Sequence, residues 1–499
     1  MIELSGPLSH SIDRTTSQFA QLRTIRDRIA QLDPLVFGSN TEAPNRLGWV
    51  NAPSNSRTHL KEIAALVSQF AGKSQVILSG MGGSSLAPEV IAATFKKRLF
   101  VLDSTDPDYI ARALTIALQE SVIVIGSKSG STIETASHKA LLTAQLQAAG
   151  LNPADHIVIV TDPGSPLDTS ARSEGLSVIN ADPTIGGRFS ALSAFGLVPA
   201  ALLGIDIESL LKDAAAADVQ IRSTDVAVDL AYLLLTQTKE YFALVDSVTA
   251  PGLPDWIEQL VAESTGKSGI GRLPVVVDKS GTLAAQYLEI GFSSASPLNI
   301  AADLPSQFLL WEWATAILGA ALKIDPFNQP NVTEAKAQTS ALLSSWSGAL
   351  PHFLPDEISG VVERFGLSLE ALIAAIPADG YLAIMAYVDR IGQSELIKLR
   401  ALFEARISKP VTFGWGPRFL HSTGQFHKGG PAHGGFLQIT GAADTELAIP
   451  GVNYSFETLE MAQALGDNKA LTERKLPVTR LHLRTRKNYY QEITHFLKQ

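Results

Sequence analysis

The chain has 499 residues, 45% of them apolar and 18% charged, with no cysteine and a formal net charge of −9. That length exceeds one ordinary core and predicts two to four domains. With no cysteine, disulfides, thiolate metal sites and thiol nucleophiles are excluded, and the acidic balance argues against nucleic acid or an anionic membrane as partner.

The opening stretch, MIELSGPLSHSIDR, has no cationic start followed by an apolar run, so no secretory leader is expected. The longest apolar window, 308–323, contains Glu312 and is too short to span a bilayer. Both features predict a cytoplasmic protein. Residues 12–32 and 57–71 read as amphipathic helices. A regular alternation follows: strand 75–80, helix 85–97, strand 98–103, helix 107–118, strand 121–126, helix 132–149, strand 156–161. Continuous Val/Ile runs between helices predict a parallel sheet covered on both faces, that is, a doubly wound α/β domain. It is expected over 57–205, behind an N-terminal helical extension 1–56. A second alternation has strands at 241–247, 273–278, 284–290, 381–387, 409–415 and 435–440, with helices at 254–265 and 304–323. It predicts one further domain of the same class over 206–445, then a C-terminal extension 446–499.

Ligands of open parallel sheets sit beyond the carboxyl ends of strands. Two exits here are rich in Gly and Ser: SGMGGSS (79–85) and GSKSGST (126–132). Glycine lets the backbone approach a ligand closely. Ser131 and Glu134 have the spacing of a capping box, so a helix N-terminus is expected to face the second exit and to favour an anion there. Ser127, Ser129 and Thr132 add hydroxyls, and Lys128 adds charge. Neither exit has the spacing of a Walker loop or of a dinucleotide-binding fingerprint, which favours a phosphorylated metabolite over a nucleotide; the plainer alternative is an ordinary Ser/Gly turn with a good cap.

Four further stretches carry candidate chemistry. In PDWIEQLVAESTGKSG (254–269), Pro254 suits a first helical turn and Gly266 a C-cap, while Gln259 and Glu263 share a face. A carboxylate at the C-terminal end of a helix is disfavoured by the dipole, which suits a group that takes up a proton; a solvated surface Glu is the alternative. In PTIGGRFS (183–190), Gly186 and Gly187 let Arg188 leave a tight turn toward an oxyanion or phosphate, or pair structurally with a carboxylate. In KIDPFNQPNVTEAK (323–336), Asn331 is a plausible N-cap with Glu334 three residues on, and Lys336 faces back toward the turn holding Gln329. Residues 414–435 hold three His and seven Gly and read as a long functional loop. The spacing of His421, His427 and His433 fits no helix face and no carboxylate lies among them, so a proton shuttle is expected rather than a metal.

Together these motifs resemble the glucose-6-phosphate isomerase family. GMGGSS is similar to its GIGGS loop, SKSGSTIET to its SKTxTTxET phosphate loop, IGGRFS to GGR[FY]S, ESTGK to ESNGK, and DPFNQPNVTEAK to FDQxGVExxK. The resemblance implies two flavodoxin-like sugar-isomerase (SIS) domains, each a mainly parallel sheet flanked by helices. It implies interconversion of glucose 6-phosphate and fructose 6-phosphate without metal or cofactor, a sugar phosphate as partner, and a homodimer. By the same resemblance, Gly83, Ser84, Ser127, Lys128, Ser129 and Thr132 would hold the phosphate, and Gln259 and Gln329 the sugar hydroxyls. His421, with Lys336, would open the ring. Glu263 would carry a proton between carbons 2 and 1, and Arg188 would stabilise the cis-enediol charge. One departure is order: HSTGQ follows the FDQ-like motif, whereas in common members the histidine motif precedes it. This leaves His427 as second choice for ring opening. The wording GWGPRFLHSTGQFHKGG is similar to isomerase segments that other chains fuse to a transaldolase, although residues 1–74 are too few for that barrel. The rival expectations are a SIS isomerase with another sugar phosphate, mannose 6-phosphate included, and a non-catalytic sugar-phosphate binder.

Overall fold

The computed structural model describes residues 1–279, 287–345, 348 and 354–498. The chain divides into two compact units, Met1–Leu102 with Ile116–Asn328, and Asp103–Thr115 with Gln329–Gln499.

The first unit contains two parallel sheets. In one, the strand order is Leu99–Leu102, Gln75–Gly80, Ser121–Gly126, Ile157–Thr161, Ser177–Asn180, all parallel. Chain order reverses between strands 75–80 and 121–126, where Gly80 and Gly126 are register partners. Both Gly/Ser-rich exits therefore leave the sheet at its topological switch point, where a crevice opens in such folds. Strand 121–126 is buried at every position, which explains its unbroken apolar run. In the other sheet, strands Leu298–Ala301, Leu288–Gly291, Tyr241–Val245 and Leu273–Val277 are parallel, and the N-terminal strand Glu3–Ser5 adds antiparallel at the edge. Of the strand expected over 284–290, residues 284–286 lie outside the described residues.

The second unit holds a six-stranded mixed sheet in the order Glu357–Ser359, Val362–Gly366, Val478–Leu483, Gly434–Gly441, Tyr381–Tyr387, Val411–Trp415. The last four strands are mutually parallel, and the first two run antiparallel to their neighbours.

The α/β class with parallel sheets between helices is as expected, but the boundaries differ. Strands expected to form one domain over 206–445 divide between two sheets. Residues 1–5 complete a sheet instead of standing in an extension, and strand 478–483 from the expected C-terminal extension lies inside the six-stranded sheet. Helix Pro107–Leu114 groups with the second unit, through pairs such as Arg112–Asp389 at 2.6 Å. Alternation along the chain reveals strands, whereas strand pairing is non-local and leaves no periodic trace. Among the described residues, no helix is long and apolar enough to cross a membrane.

Helix Leu304–Ala321 is buried from Leu304 to Ala320, all round its circumference. Glu312 sits in its middle, 1% exposed, and neither carboxyl oxygen has a hydrogen-bond partner among the described residues. Burial pushes this carboxyl well above the usual carboxylate range. Because the folded chain holds the proton and the unfolded chain releases it first, stability falls as pH rises past the ordinary carboxylate pKa. Each pH unit over which only the unfolded chain is ionised costs about 1.4 kcal/mol. Glu312→Met is thus expected to raise the thermal midpoint, by more at pH 8 than at pH 5. Melting curves of both chains at the two pH values check this; a gap that stays constant or narrows toward pH 8 contradicts it.

Candidate active site

Glycine packing brings the first unit's loops together. Gly82–Ser84 forms a short 3-10 turn after strand 75–80, and Gly187–Phe189 forms another. A Cβ on Gly83 would lie 1.9 Å from the Gly187 carbonyl oxygen, so only glycine lets the two turns touch. Ser84, buried, sits over the switch point: a Cβ built on Gly80 or on Gly126 would lie 3.1 or 3.4 Å from its own Cβ. Helix Leu253–Thr265 packs against both turns.

That helix starts with Pro254 in its first turn and is capped by Gly266. Its four-residue spacing places Gln259 Nε2 3.2 Å from Glu263 Oε2, to which it donates. Both side chains are buried, at 2% and 7% exposure, which rules out a solvated surface Glu. Glu263 Oε1 lies 3.4 Å from Nη1 of Arg188, itself 4% exposed. Nη2 of Arg188 donates to the carbonyls of Phe327 (3.1 Å) and Asn328 (2.9 Å), which fixes the plane of the guanidinium. Arg188 therefore pairs with a carboxylate, and that carboxylate is the candidate base.

A second buried cation lies beside this pair. Lys267, 4% exposed, donates to the carbonyls of Ser264 (3.0 Å) and Asp325 (2.5 Å). Burial first, and the Arg188 charge next, draw its ammonium well below the usual lysine range. Lys267 and Arg188 together grip three carbonyls of the 325–328 turn. Sequence reading passed over Lys267, although it stands four residues after Glu263 in ESTGK; nothing local distinguishes a lysine that turns inward from a solvated one.

At the second exit, Ser127 is buried and its hydroxyl donates to Thr132 Oγ1 at 3.2 Å. Thr132, not Ser131, is the N-cap of helix Ile133–Ala148, and no side chain caps the helix. The Ser131–Glu134 capping box does not form. Ser131 instead lies 3.0 Å from the exposed Ser129 hydroxyl, and its N–H donates to that oxygen. Gly130 turns the elbow at φ +67°. Lys128 is not an uncommitted cation: its ammonium pairs with Asp162 at 2.7 Å and donates to the Pro183 carbonyl at 3.1 Å. Burial draws it below the ordinary lysine range despite that partner. With Lys128 committed, the elbow's other donors are hydroxyls and the helix N-terminus, so it suits an anion held by dipoles more than by a point charge.

The remaining candidates belong to the second unit. Gln329 and Lys336 are exposed, Lys336 on helix Val332–Ser344, whose N-cap is Asn331 as expected. Asn331 Nδ2 donates to Glu334 Oε1 at 3.2 Å. Residues 414–435, expected as a loop, contain a 3-10 turn Arg418–His421, a helix Gly424–Gly429 and the start of a strand. Gln425 ties this segment to the Lys336 helix: its amide donates to Asn331 Oδ1 (2.8 Å) and accepts from the Asn331 N–H (3.0 Å). His421 ends the 3-10 turn, half-buried. His427 is packed among the rings of Tyr381, Phe419 and Phe436. Neither of its ring nitrogens has a hydrogen-bond partner among the described residues, and burial draws the ring well below the usual histidine range.

Comparison with known proteins bears on residues 61–280, which match the family model described as phosphoglucose isomerase. The chain is similar to the glucose-6-phosphate isomerase of Thermus thermophilus, at 34% identity over 237 residues, covering 45% of this chain and 57% of that one. It is also similar to the glucose-6-phosphate isomerase of Rippkaea orientalis, at 32% over 255 residues, covering 44% and 48%. The chain thus spans about half the length of the relatives it matches. A solved glucose-6-phosphate isomerase from Chlamydia trachomatis shares the fold, with a TM-score of 0.56 and 22% identity over 69% of this chain and 89% of that one. The matched segment contains Gly83, Ser84, the 127–132 elbow, Arg188, Gln259 and Glu263.

Proposed function

We propose that this chain is an aldose–ketose isomerase that interconverts glucose 6-phosphate and fructose 6-phosphate. The observation that carries the reading is the Glu263 carboxylate, buried between the Gln259 amide and the Arg188 guanidinium, beside two glycine turns at a sheet switch point. Acid/base transfer between adjacent carbons needs one carboxylate and one fixed cation, and both are present.

In the proposed sequence the phosphate rests on Ser84, Ser127, Ser129 and Thr132, at the N-terminus of helix 133–148. Ring opening is assigned to His421 with Lys336, on the family resemblance. Glu263 then removes the proton from carbon 2, Arg188 offsets the charge of the cis-enediolate, and Glu263 returns the proton to carbon 1. Gln259 and Gln329 are assigned to the sugar hydroxyls. We also propose kinship with isomerase segments that other chains fuse to a transaldolase, which the wording of residues 414–430 resembles.

Incubating the full chain with fructose 6-phosphate and measuring glucose 6-phosphate with a coupled dehydrogenase tests the activity; no product at any substrate concentration rejects it. Ser127→Ala with Thr132→Ala is expected to raise KM roughly tenfold or more, since hydrogen bonds to a charged group contribute about 1.5–3 kcal/mol, while kcat changes less. An unchanged KM removes these hydroxyls from the phosphate site.

A further inference from the structure

The second unit contains a cavity of about 880 Å³, within the range that holds small organic ligands. Its lining belongs entirely to residues 342–480 and includes none of the candidate active-site residues. Much of the wall is apolar: Leu342, Phe365, Leu465, Leu476 and Val478. The floor is a face of the six-stranded sheet, where Phe365 and Arg480 are register partners on adjacent antiparallel strands. The Arg480 guanidinium lies 3.9 Å from the centroid of the Phe365 ring and lines the cavity.

Arg480 is 6% exposed, and among the described residues its guanidinium makes one hydrogen bond, a long one of 3.5 Å to Thr440 Oγ1. No carboxylate lies within ion-pair distance of it among the described residues. Glu363, which acts on it from farther away, is engaged with Arg484 at 3.7 Å. His482, two residues along the same strand, supplies no negative charge: burial and the neighbouring cations draw it down to about 4, so it is neutral. Burial draws Arg480 itself down to about 10, and it is still a cation at neutral pH. A buried charge is ordinarily compensated by a partner. The two acids of the lining are already occupied. Asp356 accepts the Gly366 N–H at 2.8 Å, and Glu473 accepts from Gln338 at 3.3 Å with Lys469 at 3.9 Å. Lys475 adds one more cation to the lining.

We propose that this cavity binds a small organic anion with an apolar body, whose carboxylate or phosphate head pairs with Arg480 while its body lies along Phe365, Leu465 and Val478. The planar guanidinium, already stacked on a ring, presents its remaining N–H groups to two head-group oxygens at once.

Calorimetric titration of the full chain with octanoate and with octyl phosphate tests this, with octanol and octylammonium as neutral and cationic controls. Saturable 1:1 binding of at least one anion is expected, at least tenfold tighter than either control; which anion binds identifies the head group. Arg480→Gln should lower anion affinity to that of octanol, and Thr472→Trp, from the exposed face of helix Phe456–Glu473, should obstruct the cavity and abolish binding. Both variants should keep wild-type isomerisation rates. Absence of saturable binding by either anion, equal binding of octanol, or full anion affinity in Arg480→Gln overturns the proposal. If Arg480→Gln does not fold, retained anion affinity in Thr472→Trp overturns it.

Discussion

Glu263→Gln is expected to lower turnover of fructose 6-phosphate by at least ~10²-fold, the usual scale for removing a positioned acid/base group. The substitution keeps the volume of the side chain and one carbonyl oxygen, so the buried helix face of residues 253–265 need not repack. What is lost is the capacity to accept a proton, together with the anion that Arg188 faces at 3.4 Å. Substrate affinity should change little, because the phosphate is assigned to the elbow on the neighbouring sheet. The measurement is steady-state kinetics in both directions, with a melting curve to show that the variant is folded. A folded variant with wild-type turnover would falsify Glu263 as the base, and the proposed function would lose the observation that carries it.

Arg188→Met is expected to have an effect of similar size, through two routes that experiment can separate. Loss of a preorganised cation at a developing oxyanion commonly costs ~10²–10³ in turnover. The same change strands the carbonyls of Phe327 and Asn328, to which Arg188 donates, and leaves the buried Glu263 with less compensation. The stability loss should be on the order of 2 kcal/mol or more. Kinetics well below the melting midpoint isolate the first route, and thermal unfolding reads the second. Arg188→Lys keeps the charge without the planar fork, so it should recover part of the turnover and little of the carbonyl grip. Turnover within threefold of wild type in Arg188→Met, with only the melting midpoint lowered, would leave Arg188 a structural role alone.

Much of the candidate site was legible in the sequence because its signals are local. Strand 121–126 and strand 381–387 coincide with their apolar runs, and helix 253–265 begins at Pro254 and stops at Gly266 as the residues require. Gln259 and Glu263 share a face through helical periodicity alone. Where signals competed locally, the reading went astray: Ser131 and Thr132 are both cap formers, and the chain uses Thr132. The Gly-rich stretch 414–435 read as a loop because its glycines conceal a 3-10 turn and a short helix that tertiary packing stabilises.

By itself, then, the sequence determined the α/β character, the positions of the Gly/Ser-rich strand exits and the sharing of one helix face by Gln259 and Glu263, since each depends on residues within a few positions of one another; that this face turns inward was decided by tertiary packing. Tertiary structure alone decided which exits meet at the switch point, that Gly83 packs on Gly187, that Lys128 is committed to Asp162, that Lys267 turns inward beside Arg188, and that residues 206–445 contribute to two sheets. Those outcomes depend on strand pairing and on burial by residues tens to hundreds of positions away, which no local pattern encodes.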